Sequence, residues 1–110
     1  MLTFNLSKKW YEKIRSGEKT IEYREVKPYW TKRLNGFNGM IKDEAFIEKL
    51  KKGESCNLRC ILRLGYTKRH MTARIKQIYV LQSGKDTDLA IDGQVYAIHL
   101  ADIREVEVDE

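Results

Sequence analysis

The longest regular alternation of apolar and polar positions is the stretch "CNLRCILRL". Cys56, Leu58, Cys60, Leu62 and Leu64 fall on one side of an extended chain, with Asn57, Arg59, Ile61 and Arg63 on the other. A period of two with one apolar face predicts a strand whose core side is explicit. After the connection "GYTKRH", the run "MTARIKQIYVL" predicts a second strand, whose alternation shifts near Gln77 as a bulge would shift it. Beyond an acidic loop around "SGKDTD", the run "QVYAIHLADI" is apolar on both sides, the pattern of a strand covered on both faces.

The first half of the chain switches between periods. Leu2 to Asn5 reads as a short strand, and Ser7 as the N-cap of a helix with Leu6 and Tyr11 placed for a hydrophobic staple. Trp10 and Ile14 share a face of that helix, and Gly17 ends it, because glycine accepts a left-handed C-terminal cap at little cost. Thr20 to Arg24 is built of strand formers. Pro28 then opens "PYWTKRL" at a first helical position. Two Asn-Gly pairs mark Asn35 to Gly39 as a loop, and the pattern leaves open whether that loop closes over a ligand. Asp43 to Lys52 predicts an amphipathic helix with Phe46, Ile47 and Leu50 inward and Gly53 closing it. This order of elements predicts an α+β fold, a small β-barrel of mostly antiparallel strands with flanking α-helices. Closure of the sheet would hide its edges.

Composition narrows the class. A chain of 110 residues is read as one domain, 1–110, with one modest core. Its 42% apolar share excludes a disordered chain. No apolar run approaches the roughly 18 to 20 residues of a membrane span, and "MLTFNLSKKW" lacks a basic leader followed by an apolar stretch. An intracellular, cytoplasmic protein is expected. Cys56 and Cys60 on one strand lie about 13 Å apart, beyond the roughly 7 Å that a disulfide allows. With no clustered histidines they read as small buried thiols, so no metal is expected. There is no glycine-rich phosphate loop and no Ser-His-Asp order, and no cofactor is expected. His99, inside an apolar run, reads as a core histidine, and Tyr29 and Trp30 read as core before they read as stacking platforms.

Charge is unevenly spread. The net charge is +5, yet Lys49 to Lys76 holds nine basic residues and one acid, whereas Gln77 to Glu110 holds two basic residues and eight acids. That polarity predicts one face attracting polyanions and a separate acidic tail. A basic protein partner for Glu105 to Glu110 is a rival use of the tail.

The densest charge lies in "KTIEYRE". On a strand, Glu22 and Arg24 share one face and Ile21 and Tyr23 the other, which is expected to supply core. Lys19, still in the turn, can swing toward Glu22. A solvated ladder of ion pairs is the plain alternative, but exposed pairs contribute only about 0 to 1 kcal/mol each. A cluster of Lys19, Glu22 and Arg24 with donors left over suits a phosphate or the polar edge of a base. Tyr66, Lys68 and Arg69 in "GYTKRH" form a second candidate wall, Tyr66 for stacking and the two cations for phosphates. An exposed basic hairpin connection explains them equally.

The segment "GEKTIEYR" fits Gly-x-Lys-x-x-Glu-x-Arg, and it resembles the signature of the ASCH domain family. The preceding "SKKWYEKIRS", the following "EVKPYW", the basic strand leading to "GYTKR" and the final "VYAIHLADI" are similar to the same family's layout, so the resemblance covers most of the chain. It implies a PUA-like β-barrel that binds RNA or a nucleotide in a cleft beside the motif residues Gly17, Lys19, Glu22 and Arg24, in RNA metabolism or its regulation. Some members are enzymes. One branch deacetylates N4-acetylcytidine with the motif lysine, a threonine and a distant glutamate, and others are ribonucleases. A small hydrolase is therefore the alternative, with Lys19 and Glu22 catalytic and Glu22 as general base toward a water. The branch's threonine falls where this chain has Glu22, which removes that reaction's nucleophile.

Overall fold

The computed structural model describes residues 1–37 and 41–108. Its elements are β1 (Leu2–Leu6), α1 (Lys8–Arg15), β2 (Ile21–Glu25), α2 (Pro28–Phe37), α3 (Asp43–Leu50), β3 (Glu54–Leu64), β4 (His70–Leu81) and β5 (Val95–Val106). They form one five-stranded sheet in the order β1-β3-β4-β5-β2. β1 runs parallel to β3, and every other pairing is antiparallel. The parallel pair follows from the long excursion between β1 and β3, since parallel neighbours need a crossover.

Three one-residue irregularities curl the sheet. The bulge expected near Gln77 lies between Ile75 and Gln77 of β4. A second adds a residue to β3 between Ser55 and Leu58. The third adds one to β5 opposite Thr72 and Arg74, where Asp102 takes φ +54°. Each bulge raises the local twist and bends its strand. The α+β class holds, but the sheet is a half-barrel, not the closed barrel expected, with β1 and β2 as its edges. Side chains occupy the seam in place of a ladder. Phe4 of β1 stacks on Trp30 of α2 at 5.0 Å, and Arg24 of β2 donates to the Asn5 carbonyl of β1 at 3.1 Å. Ladder partners set Arg24 level with Tyr96 and Asn5 level with Val106, ten residues further along β5. That stagger is the shear of a curled sheet.

The concave side carries the core. Cys60 and Leu62 of β3 are buried, and Cys56, Leu58 and Leu64 pack beside them, as the alternation predicts. Phe46 and Leu50 of α3 and Leu34 of α2 cover the same cluster. Fully burying one such side chain is worth about 1.5 to 3 kcal/mol. On α1 the buried residues are Tyr11 and Ile14, while Trp10 lies off the core face and stays half-exposed. Ser7 occupies the N-cap in an extended conformation, but its hydroxyl makes no cap bond. Helix α2 runs on through Asn35 to Phe37, into the predicted loop, because the buried Asn35 amide is used structurally. It accepts from the Ile41 amide at 3.2 Å and donates to the Asp43 carboxylate at 3.3 Å. The remainder of that loop, residues 38–40, lies outside the described residues.

Both cysteines are free, Cys60 buried and Cys56 half-buried. Burial pushes the Cys60 thiol up to about 12, with the nearby Glu22 carboxylate adding to it. His99 is not core. It stands half-exposed between Ile21 and Gln77 in the ladder, its ring tilted against that of Tyr79 at 5.3 Å. No described helix is long and apolar enough to cross a membrane.

Candidate functional site

β2 is an edge strand hydrogen-bonded to β5 on one side only, and its alternation is as expected while its faces are exchanged. Glu22 is 4% exposed and points inward, whereas Ile21 and Tyr23 stand half-buried on the other face and do not supply core. The seam is the physical reason. Its inner surface offers carbonyls and aromatic faces, which a guanidinium can use better than an aliphatic side chain can. Arg24 lies 5.2 Å from the ring centres of both Phe4 and Trp30. It donates to the Asn5 carbonyl, to the Tyr23 carbonyl at 2.9 Å and to Glu22 Oε2 at 2.7 Å. A planar, weakly hydrated cation tolerates such a place. Glu22 is tolerated because both its oxygens are engaged. Oε1 accepts from the Tyr23 amide at 3.3 Å and lies 3.4 Å from the Lys19 ammonium.

Lys19 reaches this position through the turn after α1. Gly17 takes φ +84°, and the Lys19 amide donates back to the Lys13 carbonyl at 3.0 Å. Its side chain is 10% exposed and is paired with Glu22 and with Asp88 from the β4–β5 connection. The ammonium also faces two aromatic rings, Trp10 at 5.1 Å and Tyr23 at 5.0 Å. These residues line an open cleft of about 320 Å³, with Trp10, Ile21 and Tyr23 as walls and Lys19 and Asp88 as its polar groups. Lys13 and Glu18 also border it. Burial, and then the Asp88 carboxylate, push the Tyr23 phenol up, so it stays a neutral donor.

Glu22 and Arg24 stand behind Lys19, not on the cleft surface. The second predicted wall is elsewhere. Tyr66, 94% exposed, and Lys68 project from the β3–β4 hairpin. Arg69 is held by Glu105 at 2.9 Å and Glu12 at 3.8 Å, over the Tyr11 ring. This ties the hairpin to Tyr11 and Glu12 in the middle of α1, whereas Lys19 lies beyond the helix's C-terminal end. None of Tyr66, Lys68 and Arg69 borders the cleft. Glu105, read as the first residue of an acidic tail, belongs to β5 and accepts from the Tyr11 hydroxyl at 2.7 Å. Hydrogen bonds from Tyr11 and then Arg69 hold its carboxyl below the usual range.

The sequence pattern does not mark Trp10, Ile21, Tyr23 or Asp88 as cleft residues. Trp10 had a local signal, an aromatic among Lys8, Lys9, Lys13 and Lys19, and its ring indeed also faces Lys9 at 4.6 Å and Lys13 at 5.5 Å. Tyr23 and Ile21, expected to supply core, line the cleft instead. Asp88 had no local signal, since it meets Lys19 from 69 residues away. Among the described residues, no three His, Cys, Asp or Glu side chains converge as metal ligands. Compared with protein-family models, curated proteins and solved structures, the chain matched none.

Proposed function

We propose that this chain is an ASCH-type domain of PUA-like architecture that binds RNA or a nucleotide, with a base seated in the Trp10–Tyr23 cleft. The observation that carries the reading is the environment of Lys19, an almost buried ammonium flanked by two aromatic rings and a carboxylate at the wall of an open cleft. Lys13 and Lys19 balance Glu18 and Asp88 there, so the cleft suits a neutral, polar-edged ring better than a phosphate. A base has π-faces for Trp10 or Tyr23 and an edge that accepts from Lys19 or donates an exocyclic amine to Asp88. Its volume is at the small end of ligand sites.

The hydrolase reading has less support. Glu22, its general base, does not border the cleft, and both of its oxygens are engaged. Glu22 and Arg24 act instead as the support that holds Lys19 in place.

The test is a binding titration of short single-stranded RNA and of single nucleotides against wild type, Trp10→Ala and Tyr23→Ala. Folding is checked by circular dichroism and ligand integrity by chromatography. Losing one base–aromatic stack, about 1 to 3 kcal/mol, should weaken binding roughly 5- to 150-fold. Wild-type affinity in both folded variants would refute the cleft, and conversion of the ligand would favour the hydrolase.

A further inference from the structure

A second concavity crosses the convex face of β3, β4 and β5, a groove of about 830 Å³ that shares no residue with the Lys19 cleft. Arg59, Arg74 and Arg104 line it, one from each strand. Arg59 and Arg74 are direct partners across the ladder. Like charges so placed repel and destabilise a sheet unless something anionic joins them.

Among the described residues, one anion lines the groove. Asp102, in its left-handed conformation at the β5 bulge, accepts from Arg74 Nε at 2.8 Å. Among the described residues, Arg59 and Arg104 have no carboxylate within 4 Å. Arg63, two residues beyond Ile61 on the same face of β3, keeps a buried Nε with no acceptor among the described residues. Asn57 and Thr72 add neutral polar groups to the lining.

We infer that this groove is a binding site for the phosphodiester backbone of a single-stranded nucleic acid. Neighbouring strands lie about 4.8 Å apart, so the three guanidinium stems spread across about 10 Å, wide enough for more than one phosphate. Arginine forks match phosphate oxygens two at a time, and Asn and Thr are ordinary phosphate partners. An acidic peptide is less well matched, because its carboxylates hang on separate side chains, whereas a phosphodiester strand carries its charges along one continuous backbone that forked guanidiniums engage two oxygens at a time. Asp102 has a defined effect in this arrangement. It occupies Arg74 and competes with a phosphate for it.

This inference does not rest on the base-binding cleft, and the probe keeps the two apart. A short abasic deoxyribose-phosphate strand carries phosphates and no bases. Its binding is measured by fluorescence anisotropy over a salt series for wild type, Arg59→Ala/Arg104→Ala, Asp102→Asn and Trp10→Ala, with a poly-glutamate peptide as competitor. Each phosphate contact on a single strand contributes about 0.7 to the slope of log affinity against log salt. The double variant should flatten the slope by about 1.4. Asp102→Asn, which keeps the residue's shape and its tolerance of positive φ, should steepen it by about 0.7 and tighten binding at low salt. Trp10→Ala should change neither.

No binding of the abasic strand, or unchanged slopes in folded variants, overturns the inference. So does arginine-dependent binding of poly-glutamate in preference to the strand. Because Asp102→Asn is expected to gain affinity, misfolding cannot imitate the result.

Discussion

Arg24→Leu tests whether the Glu22 site is held together from inside. Glu22 is 5% exposed at its side chain, and its shortest partner is Arg24 Nη1 at 2.7 Å. Removing Arg24 leaves the carboxylate with the Tyr23 amide at 3.3 Å and a Lys19 ammonium at 3.4 Å that it shares with Asp88. Breaking a buried pair by deleting one partner costs about 3 to 5 kcal/mol. Lys19 remains as a partial counter-charge, so the lower end applies, about 3 kcal/mol. Leucine retains part of the packing on Phe4 and Trp30. The double variant Glu22→Leu/Arg24→Leu removes the stranded charge with its partner, and an apolar replacement of a whole buried pair is often neutral. It should therefore lie within about 1 kcal/mol of wild type, about 2 kcal/mol more stable than the single variant. Urea unfolding followed by tryptophan fluorescence reads both. With a slope of about 1 to 3 kcal/mol per molar, the single variant's midpoint should fall by roughly 1 to 3 M. If the double variant loses as much as the single one, Arg24 acts through packing alone and the buried-pair account is wrong.

Three further substitutions test positions outside the cleft. Gly53 has φ +82°, and a Cβ there would stand 2.1 Å from the Tyr79 ring, whereas Gly17 at φ +84° has open space around it. Gly17→Ala should lose about 1 to 2 kcal/mol for the backbone alone, and Gly53→Ala about 1 to 3 kcal/mol more for the displaced ring; equal losses in thermal melts would show that the ring moves aside freely. Glu105 has its folded carboxyl below the ordinary value of 4.5, owing to the Tyr11 and then the Arg69 hydrogen bond. Its contribution is therefore complete above that ordinary value and is lost as pH falls through the depressed one. Glu105→Gln should flatten the fall of melting temperature in acid, and an unchanged acid limb would remove Glu105 from the account.

Much of the architecture was legible because its signals are local. The period of two in "CNLRCILRL", the shift near Gln77, the proline at the start of α2 and the glycines after α1 and α3 each act over a few residues, and the elements formed where those signals stand. The candidate site was legible only in part. Lys19, Glu22 and Arg24 were named as a cluster and do meet, because their spacing along turn and edge strand brings them together in any such fold. Their direction was not legible. Alternation says which residues share a face, and it cannot say which face is inside when one carries Ile21 and Tyr23 and the other Glu22 and Arg24.

That choice belongs to tertiary structure. The curl of the sheet brings the β1 edge within reach of β2, and the seam so formed supplies the Asn5 carbonyl and the Phe4 and Trp30 rings to a guanidinium. Asp88 reaches Lys19 across 69 residues, and Glu105 reaches Tyr11 across 94 and Arg69 across 36. The sequence by itself determined the elements, their order and the residues that carry charge. Only the folded chain decided which charges neutralise one another and which, like Arg59 and Arg104, have no carboxylate within 4 Å among the described residues. Pairing over tens of residues is set by the sheet's twist and register, which no local pattern encodes.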